Sequence, residues 1–162
     1  MKNRVAVVIC GVSMLLSGCA GVAADHRAEQ QKKYNDLSKC EPIEAIGSAS
    51  QPTKELLVSK LKSGAIAASD DNFIADTKAK TLQMVGWNDS VFDSIATCRV
   101  NNRQARIDAI KPIFDGVKLK TKDKDERRAL IEAYSSWEAY LMSLTAAAKQ
   151  DFESKLSYYK NM

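Results

Sequence analysis

Apolar residues recur along most of the chain at intervals of three and four, and that spacing predicts helices rather than strands. The pattern is clearest in the last forty residues, where Leu130, Tyr134, Trp137, Leu141, Leu144, Ala148, Phe152, Leu156 and Tyr159 form one unbroken seam. Asp123 and Glu126 have the spacing of a capping box, and no Gly or Pro occurs from Lys124 to Met162. A single helix is therefore expected over this stretch, reaching on the order of 50 Å and forming the spine of an antiparallel bundle. Tyr158 and Tyr159, near its far end, are the candidate partner-binding residues, expected to project from the body and meet a partner helix.

Upstream the same spacing appears in shorter pieces. Tyr34, Leu37 and Cys40 predict a short helix that Pro42 ends. Gly47 to Pro52 is turn chemistry, after which Gln51 or Thr53 caps a helix carrying Leu56, Leu57 and Leu61 and stopped by Gly64. Ser69-Asp70-Asp71 then offers an acidic start to a helix running to Val85, with Gly86 as its C-terminal residue. Within it, Lys78 to Gln83 partly alternates and reads as either helix or short strand. Asn88 or Asp89 starts the next helical pattern, with Val91, Ile95 and Cys98 in register. Ile107, Ile110, Phe114 and Val117 continue it, interrupted at Pro112, before Gly116 and the polar run to Lys124 make a loop. The expected fold class is all-α: a helical bundle with one long C-terminal helix and a single disulfide, in one domain over residues 34–162.

The N-terminus has a different organisation. Lys2 and Arg4 precede a short apolar run, Val5 to Leu16, which is the layout of a secretory signal and too short for a membrane span. It ends in Leu16-Ser17-Gly18-Cys19, which resembles the lipobox of bacterial lipoproteins. That resemblance implies cleavage before Cys19, so that residues 1–18 are the signal, and acylation of the Cys19 thiol. Several acyl chains make a stable anchor where one makes a marginal one. The small, charged and amide-bearing residues that follow, to Lys33, read as a tether over 19–33. Ala20 after the cysteine resembles the signal for export to the outer membrane, so the expected location is that membrane, facing the periplasm, with the membrane itself a partner through the lipid. The alternative is ordinary cleavage after Val22-Ala23-Ala24, leaving a soluble protein that begins at Asp25.

Composition narrows the chemistry. The 162 residues are 45% hydrophobic and 27% charged, which suits one globular domain and fits neither a disordered chain nor a polytopic membrane protein. Beyond the signal, 22 basic residues face 20 acidic ones, too even a balance to imply a nucleic-acid partner. Cys10 lies in the signal and Cys19 at the lipid site, which leaves Cys40 and Cys98 as the expected disulfide, tying the first helix to the middle of the domain. Closing a loop of that length contributes about 4 kcal/mol in the chain-entropy model. The only histidine, His26, lies in the tether, so no metal site, cofactor or histidine-based catalytic apparatus is expected. No phosphate-cradling glycine loop, nucleophile elbow or Cys-x-x-Cys is present. Glu132 and Glu138 sit at solvent-type positions rather than in an indicated cleft. The chain is expected not to be an enzyme.

Two resemblances bear on function. Leu130 to Tyr140, LIEAYSSWEAY, is similar to a Leu-x-x-Ala-Gln-x-x-Trp-x-x-Tyr stretch of LprI-like lysozyme inhibitors, with Tyr134 in place of the glutamine. The combination of lipobox, helical bundle and one disulfide resembles the helical pilotins that escort secretins. Together these imply a binding or assembly module of the cell envelope acting on an unidentified envelope protein, or alternatively an inhibitor or sensor of an envelope enzyme.

Overall fold

The structure is a computed structural model in which residues 51–84 and 89–162 are described. The signal, the lipobox, the tether and the Tyr34 to Cys40 helix lie outside the described residues. Four helices follow in order: α1 (Lys54–Met84), α2 (Asp89–Lys120), α3 (Lys124–Ser143) and α4 (Ala146–Asn161). No strand occurs among the described residues, and the all-helical bundle read from the apolar spacing is what forms.

Helix α1 starts where the capping chemistry predicts. The Thr53 hydroxyl accepts from the Leu56 backbone N–H at 3.2 Å, and the Thr53 carbonyl accepts from Leu57 at 3.0 Å. It does not stop at Gly64, nor restart at Ser69-Asp70-Asp71, but runs for 31 residues. The reason lies across the core. A Cβ on Gly64 would stand 3.0 Å from Trp137 Cζ2 and 3.3 Å from Ile110 Cδ1, so this glycine admits an indole against the helix backbone. Lys78 to Gln83 is helix, not strand; Thr77 and Thr81 donate their hydroxyls to the Phe73 and Thr77 carbonyls at 2.8 and 2.9 Å, which keeps both polar groups inside the helical ladder.

Helix α2 likewise overrides two local stop signals. Pro112 sits inside it on an exposed face, where the freed carbonyl reaches water, while Ile110, Ile113, Phe114 and Val117 hold the opposite face in the core. Lys111 and Asp115, paired at 2.9 Å, bridge the site. Gly116 is not a loop residue. A Cβ there would fall 2.4 Å from Pro52 Cγ, so its bareness lets the entry to α1 pack on α2. The helix ends only at Lys120, and the loop shrinks to Thr121, Lys122 and Asp123.

The expected single C-terminal helix is two helices. Asp123 caps α3 as its spacing predicts, accepting from the Glu126 N–H at 2.8 Å. At Leu144 the backbone turns left-handed, φ 50 and ψ 31, with its N–H bonded to the Tyr140 carbonyl, and Thr145 caps a new helix by accepting from the Ala148 N–H at 3.3 Å. Nothing in the apolar periodicity marks that break, because α4 folds back on α3 and the seam buries its residues from both sides of the turn. Tyr140 and Phe152 stack across the hairpin at 6.2 Å, with ring planes 2° apart.

Helix α3 is the centre of the bundle. Its Leu130, Ala133, Tyr134, Trp137 and Leu141 are buried in one cluster with Leu57 and Leu61 of α1, Ile110 and Phe114 of α2, and Phe152, Leu156 and Tyr159 of α4. Phe114 and Tyr134 stack at 4.0 Å. Lys54 lies over the Tyr159 ring at 4.9 Å and pairs with Glu126 at 2.9 Å, which joins the start of α1 to the start of α3 and the end of α4. Helices α1 and α4 therefore run antiparallel.

Candidate functional site

The two tyrosines picked from the sequence do not share an exposed face. Tyr158 is 61% exposed, but Tyr159 is 0% exposed and sits in the main core, so it has no surface to offer a partner. Helical geometry is the cause: adjacent residues point about 100° apart, and because α4 packs back on the bundle instead of projecting, only one of them can face out. Burial pushes the Tyr159 hydroxyl up to about 12, with the Glu126 and Glu55 charges adding to the shift. Burial, and then the Glu138 charge, raise Tyr134 in the same direction.

A groove does lie on the surface, between α1 and α4. Its volume is about 790 Å³, within the range of ligand-sized sites, and Tyr140 of α3 contributes to its floor. The remaining floor is Ala65 from α1 and Phe152 and Leu156 from α4, all buried residues whose edges reach the groove. Lys62, Ile66, Ser69 and Asp70 form the α1 wall; Lys149, Glu153, Ser157 and Lys160 line the α4 side. The groove exists because α4 is a separate helix. Turned back at Leu144, it leans on α3 along its length and leaves a gap against α1.

Large apolar side chains are exposed on α1 both in the groove wall and beyond it. Ile66 is 64% exposed and Phe73, two turns further along α1, is 72% exposed, with Ile74 beside it at 50%. Three large apolar side chains exposed on one stretch of α1, the first of them in the groove wall, mark a candidate interaction surface, whereas one isolated leucine would not.

A second cluster lies between α1 and α2. Arg99, Arg103 and Arg106 line one face of α2 opposite Asp71, Asn72 and Asp76 of α1. Arg106 meets Asp71 at 2.6 Å and Arg99 meets Asp76 at 3.1 Å, while Arg99 also donates to the Asn72 side-chain oxygen. Arg103 donates to the Met142 carbonyl at the end of α3 at 3.1 Å. Burial, then the like charge of Arg99, lowers the Arg103 pKa. Every one of these groups is engaged in holding helices in register, and the cluster has the character of a structural ladder.

Of the remaining sequence candidates, Cys19 and Cys40 lie outside the described residues. Cys98 is half-buried on α2, one turn beyond the buried Ile95. Glu132 pairs with Arg128 at 3.0 Å on the surface, and Glu138 is half-buried beside Tyr134; among the described residues neither lines the α1–α4 groove. Among the described residues no three His, Cys, Asp or Glu side chains converge into a set that could hold a metal ion, and no helix is long and apolar enough to cross a membrane.

Leu130 to Tyr140, the stretch similar to lysozyme inhibitors, forms the inner face of α3: Leu130, Tyr134, Trp137 and Tyr140 are all core residues. Their spacing is accounted for by packing. The groove residues were missed by sequence reasoning, since Lys62, Ile66 and Lys160 are ordinary positions on amphipathic helices; the one available signal was apolar Ile66 and Phe73 at helical spacing outside the main seam. The chain matches no protein-family profile, no characterised protein and no solved structure.

Proposed function

We propose that this protein is a lipid-anchored envelope lipoprotein, held in the outer membrane through Cys19 and facing the periplasm, that works as a binding or assembly module for another envelope protein. The observation that carries the binding part is the α1–α4 groove with its apolar floor, with Ile66 exposed in its wall and Phe73 exposed further along the same helix. It offers an apolar floor with charged edges, and the Lys149–Glu153 pair at its margin is largely exposed, a lining that suits docking. The lipobox of Leu16 to Cys19 supports the anchoring part.

Both parts are testable. Cys19→Ser should abolish acylation, read by intact mass, and leave the protein unprocessed or soluble; a wild-type chain that begins at Asp25 overturns the anchor. Ile66→Asp with Phe73→Asp, which changes only exposed side chains, should leave the melting temperature within a few degrees and abolish co-purification of the partner from solubilised membranes. Recovery of the same partner by the double variant would show that the docking face is elsewhere.

A Cys40 to Cys98 disulfide completes the proposal as a stabilising cross-link in an exported domain. Reduction should lower the melting temperature while leaving helical circular dichroism at room temperature largely intact. Alkylation of both thiols in the folded, unreduced protein would refute it.

A further inference from the structure

We infer that the occupant of the α1–α4 groove is an amphipathic helix of the partner, lying parallel to α4 with acidic side chains at its C-terminal end, an inference that rests on the groove being the docking face proposed above. The argument begins with the distribution of charge. Because α1 and α4 run antiparallel, Lys62 and Lys160 line the groove toward the end where α1 starts and α4 finishes, whereas Asp70 lies toward the opposite end. None of these three has an ion pair among the described residues, while Lys149 and Glu153 between them stand 3.9 Å apart and offset each other. The groove thus presents two free positive charges at one end and a free negative charge at the other.

That polarity matches a helix and mismatches a simple amphiphile. A helix carries a partial negative charge at its C-terminus and a partial positive charge at its N-terminus, so one laid with its C-terminal turn at Lys62 and Lys160 meets Asp70 with its N-terminal turn. A lipid or fatty acid has one charged head; seated at the lysines, it would run its tail past the Asp70 carboxylate and strip water from it without compensation. The apolar surface points the same way. Ile66 in the groove wall and exposed Phe73 beyond it are seven residues apart and so on nearly the same face of α1, and their spacing of about 10.5 Å matches apolar residues at i and i+7 on the occupant. The Lys62 to Asp70 span, eight residues of α1, gives contact with two to three turns.

The test uses the full chain in its native cell, with the photocrosslinking residue p-benzoylphenylalanine at Ile66 or Ser157 in the groove, or at Lys80 outside it. Crosslinked peptides are mapped by mass spectrometry, and the mapped segment is then synthesised and titrated against wild type and against Lys62→Glu with Lys160→Glu. The expected result is one segment with apolar residues at i, i+3 or i+4 and i+7 and an acidic residue in its last turn. Its affinity should fall at least tenfold in the double variant and return when its acidic residues are changed to lysine. A mapped segment without that apolar repeat, an affinity unmoved by the charge reversal, or loss of crosslinking on saturation with palmitate in place of the peptide would each overturn the inference. Crosslinks at Lys80 but none at either groove position would instead overturn the docking face itself. Circular dichroism of each variant separates these outcomes from misfolding.

Discussion

Two regions of this molecule, the apolar core around the α3–α4 hairpin and the polar ladder between α1 and α2, are held together by different physics. The α3–α4 hairpin closes on rings and aliphatic side chains: Trp137, Tyr140, Leu141, Phe152, Leu156 and Tyr159 are all buried in one cluster. The distal part of the α1–α2 hairpin closes on a polar ladder, with Arg99, Arg103 and Arg106 against Asp71, Asn72 and Asp76. Apolar burial is non-directional and large, whereas partly exposed ion pairs contribute little net stability and specify which residues face each other. The comparison teaches that the apolar cluster, to which all four helices contribute, supplies most of the stability, while the ladder on α1 and α2 fixes which residues of that pair face each other.

The strongest way to break that division is at the indole on which α1, α2 and α3 meet. Trp137→Ala should cost about 3–5 kcal/mol, measured by denaturant unfolding, because a fully buried ring is lost and Gly64 leaves nothing on α1 to fill the space. A loss under about 1 kcal/mol would mean that the aromatic half is not the stabilising one. In the ladder, the Arg106 side chain is only 12% exposed, so Asp71→Ala strands a mostly buried guanidinium and should cost about 1–3 kcal/mol. Adding Arg106→Met should recover most of that loss, since the charge is removed with its partner. Failure to recover would show the ladder stabilising in its own right.

Smaller effects sharpen the picture at the hairpin turn and in the core. Thr145→Ala removes the hydroxyl that accepts from Ala148 and should cost about 1 kcal/mol, with a frayed start of α4 visible in hydrogen exchange. Tyr159→Phe should be the mildest, within about 1 kcal/mol of wild type at neutral pH, because the buried hydroxyl has no hydrogen-bond partner among the described residues. Its signature is alkaline. The folded-state pKa of about 12 lies above the ordinary 10, so this hydroxyl favours the native state below pH 10, and the advantage is lost as pH rises toward 12. The phenylalanine variant should therefore lose less stability across that window.

Much of this was legible in the chain itself. Thr53 and Asp123 start α1 and α3 as their spacing predicts, since a cap is a contact between residues three apart and needs nothing from the rest of the protein. The seam from Leu130 to Tyr159 identified core residues correctly except at the turn, where Leu144 and Ala148 are only partly buried, because burial follows periodicity within each helix but not across the reversal. The groove was not legible. Lys62, Lys160 and Asp70 converge only because α4 turns back, and no local property of those three residues records it.

The sequence by itself therefore determined the helical class, the apolar stripe of each helix and the helix starts that depend on neighbours in the chain. Tertiary structure alone decided where helices continue or break. Gly64 and Gly116 look like stops, yet they are points of close approach, at Trp137 and Pro52, whose packing outweighs the roughly 1 kcal/mol that glycine costs inside a helix. The Ser143-Leu144-Thr145 turn lacks any glycine to announce it. Leu144 takes a left-handed backbone because reversing there stacks Phe152 on Tyr140 and buries Leu156 and Tyr159, a gain made by residues eight to fifteen positions away that no local reading can see.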